Sequence, residues 1–286
     1  MVRIRAPEGS ITHTARATVY PDGRVRLMVS DVPIFREPGW EAVTPRQRRA
    51  RDSDGGTSLE NLARSARRAR QRLFDLAWCN PELRWFVTLT LNADVVGDRY
   101  DIGVQSNRLR RWLDNQVRRR GLAYIIVPEY HRDGAIHWHG LFNDALDYVD
   151  SGTCIRPEGG RPYRPGTDDE RASIIDAGGH AVYNVVQWRF GFSTAVQLYG
   201  RRESAVGYVA KYVTKAQSGG HGHIGGRWYW HGGELAEPDV YTYDIPWDDV
   251  TDDCHVHIIP HIGARCKILD FYPGGTAGQI LEGVLS

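Results

Sequence analysis

LAYIIVPEYHRDGAIHWHGLF, residues 122–142, reads as two strands folded back on one another. Apolar residues dominate 122–127, Arg132-Asp133-Gly134 supplies a turn, and strand-like alternation resumes from Ala135 to Phe142. Residues two apart on a strand point the same way, so His137 and His139 present both imidazoles to one side, with Ile136 and Trp138 alternating against them. Glu129 stands near the end of the adjoining strand, across a short hairpin, where its carboxylate can serve as a third ligand. Two imidazoles and a carboxylate with open positions suit Mg²⁺ or Mn²⁺ bound to a phosphate. An isolated H-x-H is more often a pair of ordinary half-buried histidines, so the rest of the chain must decide.

Working outward, residues 84–92 (RWFVTLTLN) alternate Phe86, Thr88 and Thr90 with Val87, Leu89 and Leu91, as a strand with one core face does. Residues 104–120 follow as a helix with a basic face carrying Arg110, Arg111, Arg118, Arg119 and Arg120. Before them, 58–79 reads as an amphipathic helix: Ser58 is the N-cap, Leu59, Leu62, Ala66, Ala69, Leu73 and Leu76 recur at helical spacing, and Arg64, Arg67, Arg68, Arg70 and Arg72 occupy much of the remainder. These arginines are candidates for DNA-backbone contact, which positions nucleic acid without reading it, although a solvated helix face has the same composition. The first forty residues read as a hairpin about Pro21-Asp22-Gly23, and 43–57 as a polar, Arg-rich linker. Beyond the H-x-H strand, residues 144–180 are rich in Gly, Asp and Pro and read as a long excursion outside the core. Residues 182–188 and 192–198 form another expected hairpin. A helix over 201–215, ended by Gly219-Gly220, and aromatic strands such as RWYW and DVYTY complete the chain. The expected class is α+β: a central antiparallel sheet with flanking helices and β-rich terminal extensions. Its expected segments are 1–57, 58–217 and 218–286.

The second informative stretch is YVAKYVTK, residues 208–215. Tyr208 and Tyr212 are four apart on a helix, hence on one face, and Lys211 and Lys215 each follow a tyrosine by three. A phenol has a pKa near 10 and needs a nearby cation, metal or base to attack as phenolate. Two of the chain's three lysines stand here among 33 arginines, which places a compact point charge where Arg is the local habit. Read alone, the tyrosines serve equally well as packing residues.

Charge is segregated along the chain. Residues 1–120 hold 23 basic against 14 acidic groups and residues 217–286 hold 3 against 10, so the net charge of +1 conceals a basic front and an acidic tail. A basic front is the footprint of a phosphate-binding surface. No Walker A sequence is present, which argues against an intrinsic NTP-driven helicase. Cys79, Cys154, Cys254 and Cys266 are scattered without a CxxC pair, so reduced thiols are expected. No apolar run reaches membrane-span length and MVRIRAPEGS lacks a signal peptide's apolar stretch, so a cytoplasmic protein with no membrane partner is expected.

The strand FVTLTLN, an E…H-x-H hairpin and YVAKYVTK, in that order, resemble the HUH superfamily of rolling-circle replication initiators. Within it they look like the replication-associated proteins of microviruses, filamentous phages and related plasmids. The resemblance covers roughly residues 80–217, and VPEYHRDGAIHWHG and the W-x-x-GF stretch at 188–192 share it. It implies that Glu129, His137 and His139 hold Mg²⁺ or Mn²⁺. Tyr208 or Tyr212 would attack single-stranded origin DNA, leaving a 5′-phosphotyrosine and a free 3′-hydroxyl. Lys211 and Lys215 would assist, and a host helicase and DNA polymerase would be the partners. Conjugative relaxases place the tyrosine ahead of the histidine pair, unlike this chain. A two-tyrosine transposase fits the same motifs. A cupin-like enzyme expects a glutamate where Asn143 and Asp144 stand. A non-catalytic single-strand DNA-binding protein leaves the tyrosine and lysine placement unexplained. Cys254-His255-Val256-His257, with His261, is a second H-x-H, best read as ordinary strand histidines, and His221 and His223 lie in a Gly-rich loop.

Overall fold

The computed structural model describes residues 11–36, 58–131, 133–198, 207, 224, 226–250, 255–259 and 263–272. The linker 43–57, the helix expected over 201–215 with Tyr208, Lys211, Tyr212 and Lys215, and Gly219, Gly220, His221, His223, Cys254 and His261 lie outside the described residues. In chain order the first elements are β1 (Thr12–His13), β2 (Ala15–Val19), β3 (Val25–Ser30) and β4 (Phe35–Arg36). Helix α1 (Ser58–Cys79), β5 (Trp85–Thr90), α2 (Ala93–Val96), α3 (Ile102–Arg120), β6 (Tyr124–Tyr130) and β7 (Ile136–Phe142) follow. Then come β8 (Tyr148–Ile155), α4 (Asp168–Asp176), β9 (His180–Val185), β10 (Ser193–Gln197), β11 (Trp230–Gly232), β12 (Asp239–Tyr243), β13 (His255–Ile259) and β14 (Ala264–Phe271).

Two compact units result: residues 56–236, and residues 1–55 together with 237–286. The larger is built on a seven-stranded sheet in the order β11-β6-β7-β5-β10-β9-β8. Its named pairings are antiparallel, so the α+β architecture read from the sequence is the one present. Alternation along the strands separates two faces. Val87, Leu89, Ile126, Ile136, Trp138 and Phe142 point one way and form a core with Leu109, Trp112 and Leu113 of α3. Helix α3 takes this position because its apolar residues recur at helical spacing. Asp101 caps its start by accepting from the Val104 amide, and Gly121, at φ 71°, turns the chain at its end. Helix α1 packs against β6 and contributes nothing to that core. Trp228 donates its indole N–H to Ser65 in α1, and Asn80 just past it exchanges hydrogen bonds with the Ala236 backbone.

The turn between β6 and β7 is closed by Gly134 at φ 88° and by Asp133, which accepts from the Ala135 amide. Gly140 explains why H-W-H is followed by glycine. A Cβ there would lie 2.4 Å from the Ile125 carbonyl oxygen, so β6 and β7 meet more closely than any side chain allows. Gly140→Ala is therefore expected to cost about 1–3 kcal/mol through overpacking and to lower the melting temperature by several degrees, as measured by thermal unfolding.

The expected excursion over 144–180 requires correction. It contains β8, the outer strand of the sheet, and helix α4, capped by Thr167. Cys154 in β8 is fully buried. The polar composition misleads because an edge strand buries little. A register shift between Asp150 and Thr153 also breaks its alternation, with Gly152 at φ 70°.

In the smaller unit the expected hairpin is present as β2 and β3, and the tail strands join it in a five-stranded sheet ordered β12-β2-β3-β14-β13. Ala15, Ala17, Val25, Leu27, Val29, Ile245 and Val250 form its core. Lys267, the third lysine, is buried there and donates to the Trp247 and Val250 carbonyls. Cys79, Cys154 and Cys266 are buried thiols. No helix among the described residues is long and apolar enough to cross a membrane.

Candidate metal centre

Strand β7 lies between β6 and β5, and register brings the candidate ligands together. Glu129 is the direct cross-strand partner of His137. His139 sits two residues on, opposite Thr88 of β5. All four point away from the α3 side, because their neighbours Trp138 and Leu89 fill the core there. His137 Nε2 lies 3.3 Å from Glu129 Oε2, His139 Nε2 lies 2.9 Å from the same oxygen, and the two Nε2 atoms are 3.3 Å apart. Among the described residues this is the one cluster of three or more His, Cys, Asp or Glu side chains spaced to hold a metal ion.

The donor set fits a cation. Bonds of about 2.1 Å to an octahedral ion put adjacent ligands about 3.0 Å apart, and a tetrahedral ion with such bonds about 3.4 Å. The observed 2.9–3.3 Å triangle accommodates one face of such a coordination shell. His139 is held further: its Nδ1 is 3.0 Å from Thr88 Oγ1, and its ring stacks near Phe86 with centroids 5.9 Å apart. With the proton on Nδ1 donated to Thr88, Nε2 presents a lone pair to the centre, as a metal ligand must. His139 is only 7% exposed, so this orientation is fixed by packing as well. His131 meets His137 edge-on at 5.5 Å and lies 3.1 Å from Asp133. The Ala135 amide, and after it His131, hold the Asp133 carboxyl below the usual carboxylate range.

Thr88 was not singled out as a site residue in the sequence, although its strand alternation places it on this face. Thr88→Val removes the acceptor while keeping the shape. It is expected to weaken divalent-metal binding about 10–100-fold, with Thr88→Ser close to wild type, measured by isothermal titration with Mn²⁺.

The arginine candidates on α3 fall elsewhere. Arg111, Arg119 and Arg120 line clefts along α3 together with Arg108 and Arg189, which sequence reading missed. Helix α3 covers the sheet face opposite the trio. Arg110 and Arg118 are exposed on α3 and bond within it, to Asn107 and to the Asp114 carbonyl. In α1, Arg64 bonds Asn61, while Arg67 and Arg68 are exposed. The arginine candidates on α3 therefore lie on the side of the sheet away from the metal centre. In the smaller unit, His255 and His257 lie on strand β13, where His257 is exposed.

An antiparallel sheet whose inner strand carries H-x-H against a carboxylate on the next strand is consistent with the HUH class. Residues 84–217 match the model of the replication-associated protein family of the ORF2 and gene 2 protein type, from the start of β5 through the segment holding Tyr208 and Tyr212. The match covers 134 of the 286 residues and supports a replication-associated protein that initiates rolling-circle replication. None of the curated proteins compared and none of the solved structures matches it.

Proposed function

We propose that this protein is a metal-dependent endonuclease that nicks and rejoins single-stranded DNA at an origin to start rolling-circle replication. The observation that carries the reading is the Glu129–His137–His139 triangle, lying within a segment that matches a replication-associated family. The three residues would hold Mg²⁺ or Mn²⁺, with Thr88 fixing the ring of His139. When bound, such an ion draws charge from the non-bridging oxygens of the scissile phosphate.

The nucleophile is Tyr208 or Tyr212. Its phenol gives up its proton and the oxygen attacks phosphorus, the new bond makes a 5′-phosphotyrosine ester, and the bond to the 3′ oxygen breaks, so that this oxygen takes a proton and becomes a 3′-hydroxyl that can prime a polymerase. Lys211 and Lys215 supply positive charge toward the phenolate and the phosphate. The ester conserves the phosphodiester energy, so a strand hydroxyl can attack it later and rejoin DNA without ATP. Three described tyrosines in the same unit are poorer candidates. Burial pushes the Tyr124 phenol up to about 12 and raises that of Tyr148 further, so both stay protonated. Tyr130 packs against the α3-side core.

The test is to incubate the protein with single-stranded DNA carrying its origin and Mn²⁺, digest the covalent product, and locate the DNA phosphate by mass spectrometry. The phosphate is expected on Tyr208, Tyr212 or both. A phosphate on any other residue, or no adduct at all, would overturn the reading.

A further inference from the structure

The W-x-x-GF stretch has no part in the chemistry above, yet it ends on the same face as the metal centre. Phe192 precedes β10 and is 69% exposed, unusual for a ring so close to a sheet core. Its carbonyl accepts from the Thr90 amide at 2.9 Å, continuing the ladder in which Leu89 pairs with Ser193 and Thr88 with Thr194. Thr90 in turn pairs with His137, and His137 with Glu129. Glu129, His137, Thr90 and Phe192 thus form one row across four strands. Ser193 is buried, with its hydroxyl accepting from the Val185 amide on the next strand. Alternation therefore turns Phe192 to the histidine side. At about 4.8 Å per strand, its backbone lies about 10 Å from that of His137.

The backbone that carries the ring is also held in place. Trp188 donates its indole N–H to the Thr90 carbonyl at 3.1 Å, and the Asn92 amide donates to the Phe190 carbonyl at 3.0 Å. Gly191 lets the segment press onto β5, since a Cβ there would lie 2.3 Å from the Thr90 oxygen and 2.5 Å from the Asn92 nitrogen. Phe190 packs on the α3 side beneath Arg108, whereas Phe192 does not join that core. The three hydrogen bonds and the close approach fix the backbone that carries this exposed apolar ring beside the centre.

We infer that Phe192 is a stacking platform for one unpaired DNA base, on a nucleotide flanking the phosphate held at Glu129, His137 and His139. A flat, rigid, exposed ring binds a base face at little ordering cost, and it does so only where bases are unstacked, which selects single strands over duplex. The assignment rests on the nicking reading for the identity of the ligand, but not for its test.

The experiment measures fluorescence anisotropy of a labelled 20-mer oligothymidylate in EDTA, where no cleavage occurs, with wild type, Phe192→Trp, Phe192→Leu and Phe192→Ala. Loss of one stacked base corresponds to about a 5- to 100-fold weaker Kd. That loss is expected for Ala and Leu, with Trp within about twofold of wild type and melting temperatures unchanged because the ring is exposed. An oligonucleotide bearing 5-iodouracil should crosslink to the peptide containing Phe192. Wild-type affinity in the Ala variant overturns the proposal. So does rescue by Leu, a lowered melting temperature, or a changed oligomeric mass in sedimentation, which would make the ring an internal or subunit contact. Ring-dependent binding without any nicking would sink the endonuclease reading alone. Normal nicking with ring-independent binding would sink this one alone.

Discussion

The double variant Tyr208→Phe/Tyr212→Phe is expected to yield no covalent protein–DNA adduct, while binding single-stranded DNA as tightly as the parent. Phenylalanine removes only the hydroxyl, so a loss confined to adduct formation separates a nucleophile from a packing residue. Each single variant should retain adduct on the remaining tyrosine, because two residues four apart on a helix share a face and either can reach a common phosphate. Single variants should differ instead in completing both cleavage and rejoining, read as the ratio of closed circles to adduct on a circular substrate. Adduct in the double variant would place the nucleophile elsewhere. Tyr124 and Tyr148 are poor substitutes, since each would have to ionise against the burial that raises its pKa.

His137→Ala/His139→Ala is expected to abolish measurable Mn²⁺ binding and nicking together. Removing two of three ligands leaves Glu129 alone, and one carboxylate does not define a site. Imidazole nitrogen favours Mn²⁺ over the harder Mg²⁺, so wild type should bind Mn²⁺ the more tightly in calorimetry. A second readout needs no catalysis. An ion at 100 times its Kd stabilises the folded state by about 2.7 kcal/mol, so Mn²⁺ should raise the melting temperature of wild type and leave the variant unmoved. Nicking that persists in the variant, or in EDTA, would remove the metal from the mechanism.

The two halves of the site were legible to different degrees. Strand alternation and a three-residue turn suffice to bring Glu129 opposite His137, because a hairpin register is fixed by local sequence. The same logic recovers α1 from its apolar repeat. Thr88 was within reach of that reasoning but needed the pairing of β5 with β7, a long-range fact that period alone does not carry. Strand β8 escaped because an edge strand with a bulge resembles a loop in composition. The placement of the α3 arginines was not legible either. Helical spacing says which ones share a stripe, but only the packing of α3 shows that the stripe lies behind the sheet from the histidines. Phe192 was visible only as part of a motif, since exposure is a property of the fold.

Strand β11 has a practical meaning for anyone wishing to handle the family-matched domain separately. The family match ends at residue 217, yet Trp230, His231 and Gly232 pair with Ile126, Ile125 and Tyr124 along the outer side of β6, the strand that carries Glu129. A fragment cut at the end of the match would leave the β6 backbone unpaired along that side, a template for association with other copies. A fragment spanning 56–236 keeps that border closed. The remaining pieces, 1–55 and 237–286, share one sheet although residues 56–236 separate them in the chain, so a linker joining residue 55 to residue 237 is the natural way to express them as one molecule.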